Sequence, residues 1–293
     1  MDFMKTAKYW IGLSLVVTAV GLISLIFRGL NLGIDFTGGT LLDLKFDQPQ
    51  TLASVRAALG PGHENDTIRL ASADGRQVLV TTAALSEADR LKLFDVLKAK
   101  LGKFEPLRVE QVQGVISRDL TRQALIAVLI ASALQVIYIT FRFEFKFAVT
   151  AIIALLHDAL IVLGLFSIFR AEVSAPFVAA VLTILGYSLM DTIVIFDRIR
   201  ENLKLRKRGE SLHDLVNKSV RQSLTRSIYT SVTTLMAILA VLIFGGQSTR
   251  DFALALFLGI VSGTYSSIFI ASPLWLWWRE SEARGRTGKP REA

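Results

Sequence analysis

The stretch APFVAAVLTILGYSLMDTIVIFDRIRENLKLRKR, residues 175–208, decides the fold. Its first part, 175 to 196, is apolar and long enough to cross the hydrocarbon of a bilayer, which takes about 20 residues of helix. One carboxylate, Asp191, stands inside that run. A dense basic segment follows at once, with Arg198, Arg200, Lys204, Arg206, Lys207 and Arg208, and Lys218 and Arg221 lie further on. Short basic loops stay on the cytoplasmic side of a membrane, so this segment supplies both a span and its direction.

Working outward, five more stretches of the same kind appear, at 8 to 27, 121 to 141, 147 to 168, 227 to 245 and 252 to 278. Six spans place both chain ends in the cytoplasm. The basic tail at 279–293, with Arg279, Arg284, Arg286, Lys289 and Arg291, agrees, as does the tight connection holding Arg142 and Lys146. The connections near Glu172 and Gln247 are poor in charge, as outer loops should be. The first span resembles a signal peptide in having Lys5 and Lys8 before it. Its apolar run is long and lacks a small-residue cleavage site, so it is expected to stay as an anchor. Composition supports a membrane protein throughout: 52% of the 293 residues are hydrophobic and the mean hydropathy is +0.48. The formal charge of +8 is explained by topology and lipid contact, not by nucleic acid. Cysteine is absent and the three histidines have no HExxH-type spacing, which argues against disulfides and zinc.

Residues 29–120 then lie outside and read as a small α+β domain. Thr40 to Phe46 alternates like a strand, and Leu52 to Leu59 has helical spacing behind a Thr51 cap. Thr67 to Leu70 and Val78 to Thr82 flank an Asp74-Gly75 turn. Ser86 with Asp89 opens a second helix carrying Leu93, Leu97 and Leu101, and Leu107 to Val112 supplies a last strand. That order is ferredoxin-like. The predicted fold is therefore a membrane α-helical protein of six transmembrane helices with this domain between the first two, and five helices at 121–278 with a basic cytoplasmic loop near 198–224.

Charge inside a span demands a reason, because it costs about 2.5–3.5 kcal/mol on insertion scales. Asp191 lies about four turns from Pro176 and is a candidate proton site; a structural hydrogen bond to a neighbouring helix is the plainer reading. Arg226 opens the fifth span below Thr230, Thr233 and Thr234. It is placed either to pair with Asp191 or to snorkel to the headgroups. Burial favours a neutral carboxyl and a nearby guanidinium the ionised one, so such a pair would change protonation with small movements. His157 and Asp158 sit midway through the third span, about 100° apart on the helix, as proton-relay or packing residues. Asp35, Gly38 and Gly39 mark an abrupt turn out of the first span, with no helix following that would make a phosphate cradle. Asp197, Arg198, Arg200 and Glu201 have the spacing of a solvated ion-pair face. Gly259 and Gly263 form a GxxxG, which suits close helix packing.

Taken in order, Leu32-Gly33-Ile34-Asp35-Phe36-Thr37-Gly38-Gly39, Arg142-Phe143-Glu144, Gly186-Tyr187-Ser188 with Asp191, Asp197-Arg198-Ile199-Arg200-Glu201-Asn202 and Gly263-Thr264-Tyr265-Ser266-Ser267-Ile268-Phe269 resemble the SecF family of protein-export membrane proteins. The related SecD family has a much larger outer domain. The resemblance implies a fold of the resistance-nodulation-division transporter type, a SecD partner completing a pseudo-symmetric set of spans, and residence in the bacterial plasma (inner) membrane. It implies work with the SecYEG channel, the SecA motor and YajC on translocating precursor polypeptides. It also implies a proton as coupling ion, with no other cofactor, and gives Asp191 and Arg226 the proton role. Two positions depart from the usual pattern: Met190, where relatives often carry Asn, and Val115, where Pro often follows Gly114. Rival readings are a half-size proton-coupled exporter of small molecules and, as an enzyme, an intramembrane aspartyl protease using Asp158 and Asp191. The latter lacks the Gly-x-Gly and Tyr that such proteases place beside their aspartates, so no enzymatic activity is expected.

Overall fold

The computed structural model describes residues 2–72 and 74–287, with side chains described for all of these except 247, 248 and 283–287. The basic tail residues Arg284, Arg286, Lys289 and Arg291 thus lie outside the described side chains. The chain divides into two compact units, 32–126 and 1–31 with 127–293.

The smaller unit is built from alternation and caps. After a single helical turn, Ile34–Thr37, strand β1 (Gly39–Phe46) leads into helix α2 (Leu52–Leu59), strands β2 (Thr67–Leu70) and β3 (Gln77–Thr82), helix α3 (Glu87–Leu101) and strand β4 (Phe104–Val112). Helix α2 starts where the Thr51 side chain accepts from Ser54 N and the Ser54 hydroxyl accepts from Thr51 N, a reciprocal cap. Ser86 accepts from Asp89 N at the start of α3. All strands are antiparallel, in the order β2-β3-β1-β4, which is the ferredoxin-like arrangement expected from the sequence. Leu42 pairs with Val80 and Val109, and Leu44 with Val78. These inward residues close on Val55, Leu93, Leu97 and Phe104 as one core. The two glycines at 38 and 39 have positive φ, +71° and +127°, and a Cβ on Gly39 would lie 2.4 Å from the Thr82 carbonyl. Only glycine fits that approach.

Six helical stretches among the described residues are long and apolar enough to cross a membrane. They are α1 (Phe3–Arg28), α4 (Gly114–Arg142), α5 (Phe145–Phe169), α6 (Ala175–Lys204), α7 (Leu212–Phe244) and a continuous run made of α8 (Gln247–Ser266), a π turn (Ser267–Ala271) and α9 (Ser272–Thr287). Two limits differ usefully from the sequence reading. Helix α4 begins at Gly114, with Val115 in its first turn. Helix α7 begins at Leu212, because Ser211 caps it by accepting from Asp214 N. The basic loop expected near 198–224 is therefore a correction: only residues 205–211 connect α6 and α7, and Lys218 and Arg221 are exposed on helix. Sequence hydropathy marks where a helix is apolar, not where its hydrogen bonding stops.

The bundle core stacks Phe147 on Trp275, ring centres 4.6 Å apart, with Phe196 against Phe147 at 4.8 Å. Glycines set the tightest crossings. Gly21 of α1 meets Gly164 of α5 backbone to backbone, and Gly259 and Gly263 of α8 seat Ile184 and Ser188 of α6. Helices α5, α6 and α8 thus form the interior, whereas in α4 and α7 only 6% and 11% of the apolar windows are buried.

Candidate functional site

Asp191 lies on α6 and is nearly enclosed, at 6% exposure. One of its carboxylate oxygens is buried with no hydrogen-bond partner among the described residues, and neither has the nearby Ser227 Oγ of α7. Ser267, in the π turn, lies on its other side, and Arg226 stands further off. Ser267 itself bonds Thr192 Oγ1 at 3.0 Å and donates to the Gly263 carbonyl. Irregular helix next to a buried carboxylate is a common mark of a working site, because the extra residue re-aims side chains.

Arg226 forms no ion pair with Asp191. Its side chain is exposed on α7 and lines a pocket of about 330 Å³ with Val194, Asp197, Glu201, Gln222 and Ser223. That pocket lies one turn along α6 and α7 from Asp191 and Ser227. The threonines above it are satisfied within their own helix: Thr230 donates to the Arg226 carbonyl at 2.8 Å, Thr233 to Tyr229 and Thr234 to Thr230.

Asp158 differs in every respect. It is wholly buried, and hydroxyls from two other helices converge on it: Ser188 of α6 donates at 2.5 Å, Ser262 and Ser266 of α8 at 2.6 and 2.7 Å. His157 Nδ1 stands 3.1 Å from its Oδ1, and His157 Nε2 contacts Ser14 Oγ of α1. The two residues face different helices, as their separation of about 100° implies, His157 toward α1 and Asp158 toward α6 and α8, and the contact between them joins both sides into one network. Asp158 and Asp191 share no hydrogen bond; three serines donate to Asp158, whereas Asp191 keeps an oxygen without a partner among the described residues. Among the described residues no three His, Asp or Glu side chains are gathered as a metal site.

The Asp197 to Asn202 segment does more than face solvent. Asp197 is held by Arg200 at 3.0 Å and Arg142 at 3.5 Å, Arg198 pairs with Glu201, and Ile199 is buried. Asn202 Nδ2 donates to Ser219 Oγ and Gln222 Oε1 of α7 at 2.8 and 2.9 Å. The motif thus ties the ends of α4, α6 and α7 together. Sequence reasoning missed this clasp and also missed Ser14, because serine is unremarkable in an apolar helix until its neighbour is known.

Comparison with known proteins gives a consistent result. Residues 92–281 match the family described as protein export membrane protein SecD/SecF, C-terminal, and residues 23–50 match the SecD/SecF GG motif. The protein translocase subunit SecF of Acidaminococcus fermentans is 44% identical over 290 residues, covering 97% of this chain and 99% of the relative. That of Pseudomonas aeruginosa is 41% identical over 280 residues, covering 94% and 91%. The crystal structure of SecDF, a translocon-associated membrane protein from Thermus thermophilus, superposes with a TM-score of 0.88 at 40% identity. It is matched over 96% of this chain, which spans only 39% of that longer one. A SecDF structure in a super-membrane-facing form gives a TM-score of 0.72 at 38% identity, over 98% of this chain and 40% of its own.

Proposed function

Because the chain belongs to the SecF family of protein translocase subunits, we propose that it works with a SecD-type partner to couple a transmembrane proton gradient to late steps of protein export. The membrane is the bacterial plasma membrane, and both termini are cytoplasmic, as the basic connection at 205–211 and the basic end of α4 support. The partners in this reading are SecD, the SecYEG channel, the SecA motor, YajC and the moving precursor, whose contact falls to the outer α+β domain. The chain acts by binding and conformational change, without bond-making on a substrate, and needs no cofactor beyond the proton.

One observation carries the coupling role. Asp191 is a buried carboxylate with an unpartnered oxygen, beside a polar pocket containing Arg226. A buried carboxyl is favoured neutral, a guanidinium drawing near favours its ionised form, and a helix shift that changes their separation changes proton occupancy. Moving one charge through about 100 mV is worth about 2.3 kcal/mol, enough to bias a two-state outer domain more than tenfold. It is too little to drag a long polypeptide in one stroke, so chain movement accumulates over many cycles.

The test is transport of a secreted precursor into inverted membrane vesicles with ATP and motor present, with and without an uncoupler. Asp191→Asn keeps the shape and removes the titration, and it should abolish the uncoupler-sensitive increment at normal levels of the SecD complex. Arg226→Lys should reduce it less, because a positive charge remains without the planar fork. A full increment in Asp191→Asn vesicles would make Asp191 a structural residue.

A further inference from the structure

Asp158 is as buried as a side chain can be, and every polar group around it is able to donate a hydrogen bond to it. An ionised carboxylate offers about four acceptor positions and no donor. Four donors are gathered here: the hydroxyls of Ser188, Ser262 and Ser266, and the His157 imidazole. The hydroxyls are neutral, and a bare negative charge among them inside a membrane is costly. The titratable and polar groups facing the pair are few. Ser14 comes from α1, Ser188 from α6, and Ser262, Ser266 and the Tyr265 ring, centred 6.3 Å from the imidazole, from α8. No lysine or arginine pairs with Asp158 among the described residues; the ion-pair contact is with His157.

We infer that His157 is a second proton-binding residue of the bundle, exchanging its proton at Nε2 on the α1 side while Asp158 holds the counter-charge. Nδ1 is committed to Asp158. Nε2 meets Ser14 Oγ beside an apolar groove of about 270 Å³ between Trp10, Leu258, Val261 and Tyr265, and with Nδ1 committed it is the ring nitrogen left to take a proton by way of the Ser14 hydroxyl. With neutral His157, the Nδ1 hydrogen points to Asp158 and Nε2 accepts the Ser14 hydroxyl. Uptake places one proton on Nε2 and turns Ser14 from donor to acceptor, and no other covalent bond changes. The same step alters one of the bonds between α1 and α5, another being Ser24 to Ser167. Asp158 and Asp191 share no hydrogen bond, although Ser188 lies about one turn from Asp191 and Ser266 precedes Ser267, and the inference is independent of whether Asp191 carries the coupling proton.

The chain contains only three histidines, His63, His157 and His213, so ring-¹⁵N histidine labelling gives a spectrum that can be assigned by deletion. The full chain in lipid nanodiscs is titrated from about pH 8 to about pH 5, the range in which histidine normally changes charge. The His157 signal should pass from separate ¹⁵N resonances, with Nδ1 protonated, to the merged pattern of an imidazolium. It should do the same in Asp191→Asn and lose the transition in Asp158→Asn. If His157→Gln does not fold, removal of His63 and His213 identifies the remaining signal instead. A His157 signal unchanged across the range, or one titrating equally in Asp158→Asn, overturns the inference and leaves the pair a static packing contact.

Discussion

A methyl group at position 263 would sit 2.8 Å from the Ser188 Cβ and 3.2 Å from its Cα, closer than packed atoms tolerate. Ser188 is also a donor to Asp158, so one added carbon both separates α6 from α8 and loosens the buried carboxylate. Gly186, a few residues away on α6, has open space at the same position. Gly263→Ala should therefore lower the melting temperature of the detergent-solubilised protein by several degrees, while Gly186→Ala leaves it within a degree or two, a contrast that follows from overpacking costs of about 1–3 kcal/mol. Equal effects would mean that the helices part freely here. In the outer domain the Ser86 hydroxyl, and after it Lys92, holds the Asp89 carboxyl below its ordinary range. A depressed carboxylate contributes stability that is present above its unfolded value and lost as pH falls through the folded one. Protection of the α3 amides in hydrogen exchange should thus weaken below about pH 4, and Ser86→Ala should weaken it already at neutral pH. The sequence exposed Asp158 and Asp191 at once, since a carboxylate in an apolar run is conspicuous. It did not expose how different they are, because saturation of Asp158 and the open oxygen of Asp191 depend on serines brought in from other helices.

Elements were legible where a local rule governs them. The caps at Thr51 and Ser86, the alternation of β1 and the six apolar runs fixed nearly every helix and strand of both units, because each depends on residues within a turn or two. What local rules could not place is the boundary of α7. Its first turns are polar and basic, so hydropathy assigns them to a loop, yet the Ser211 cap and buried Leu215, Val216 and Val220 carry the helix well past the apolar run. This changes the expected digestion pattern. In inverted vesicles trypsin should cut rapidly after Arg206, Lys207 and Arg208, in the 205–211 connection, and slowly after Lys218 and Arg221, whose backbone is tied into helix. Mass spectrometry of the early fragments decides it: prompt cleavage at Lys218 would place the start of α7 later than observed. Thr51→Ala should cost the outer domain about 1 kcal/mol through its lost cap, readable as faster exchange of the α2 amides. The π turn at Ser267–Ala271 was likewise beyond sequence reasoning, since nothing in Ser-Ile-Phe-Ile-Ala departs from ordinary helix formers.

At the scale of the molecule, the distribution of burial states what the chain lacks. Helices α5, α6 and the α8–α9 run cover one another, whereas α4 and α7 leave most of their surface open. Openness on α4 is unremarkable: Leu125, Leu129, Ile130 and Tyr138 are exposed and suit lipid. On α7 it is not, for Arg226, Thr230 and Thr233 follow one another at helical spacing along an exposed face. The threonines are satisfied by their own backbone, but a guanidinium beside hydrocarbon is costly unless it reaches water or a counter-charge. A SecD-type partner seated on α7 would supply that cover and would enclose the Asp191 side of the bundle, whereas α4 would keep its lipid. The absence of native cysteine makes single-cysteine labelling clean. A fluorophore on Thr233→Cys should be quenched by brominated lipid when this chain is reconstituted alone and protected when it is reconstituted with the partner, while one on Leu129→Cys should be quenched in both. Matching quenching of Thr233→Cys with and without the partner, in samples where co-purification confirms the complex, would show that α7 faces lipid in the assembly and that Arg226 finds its counter-charge within this chain.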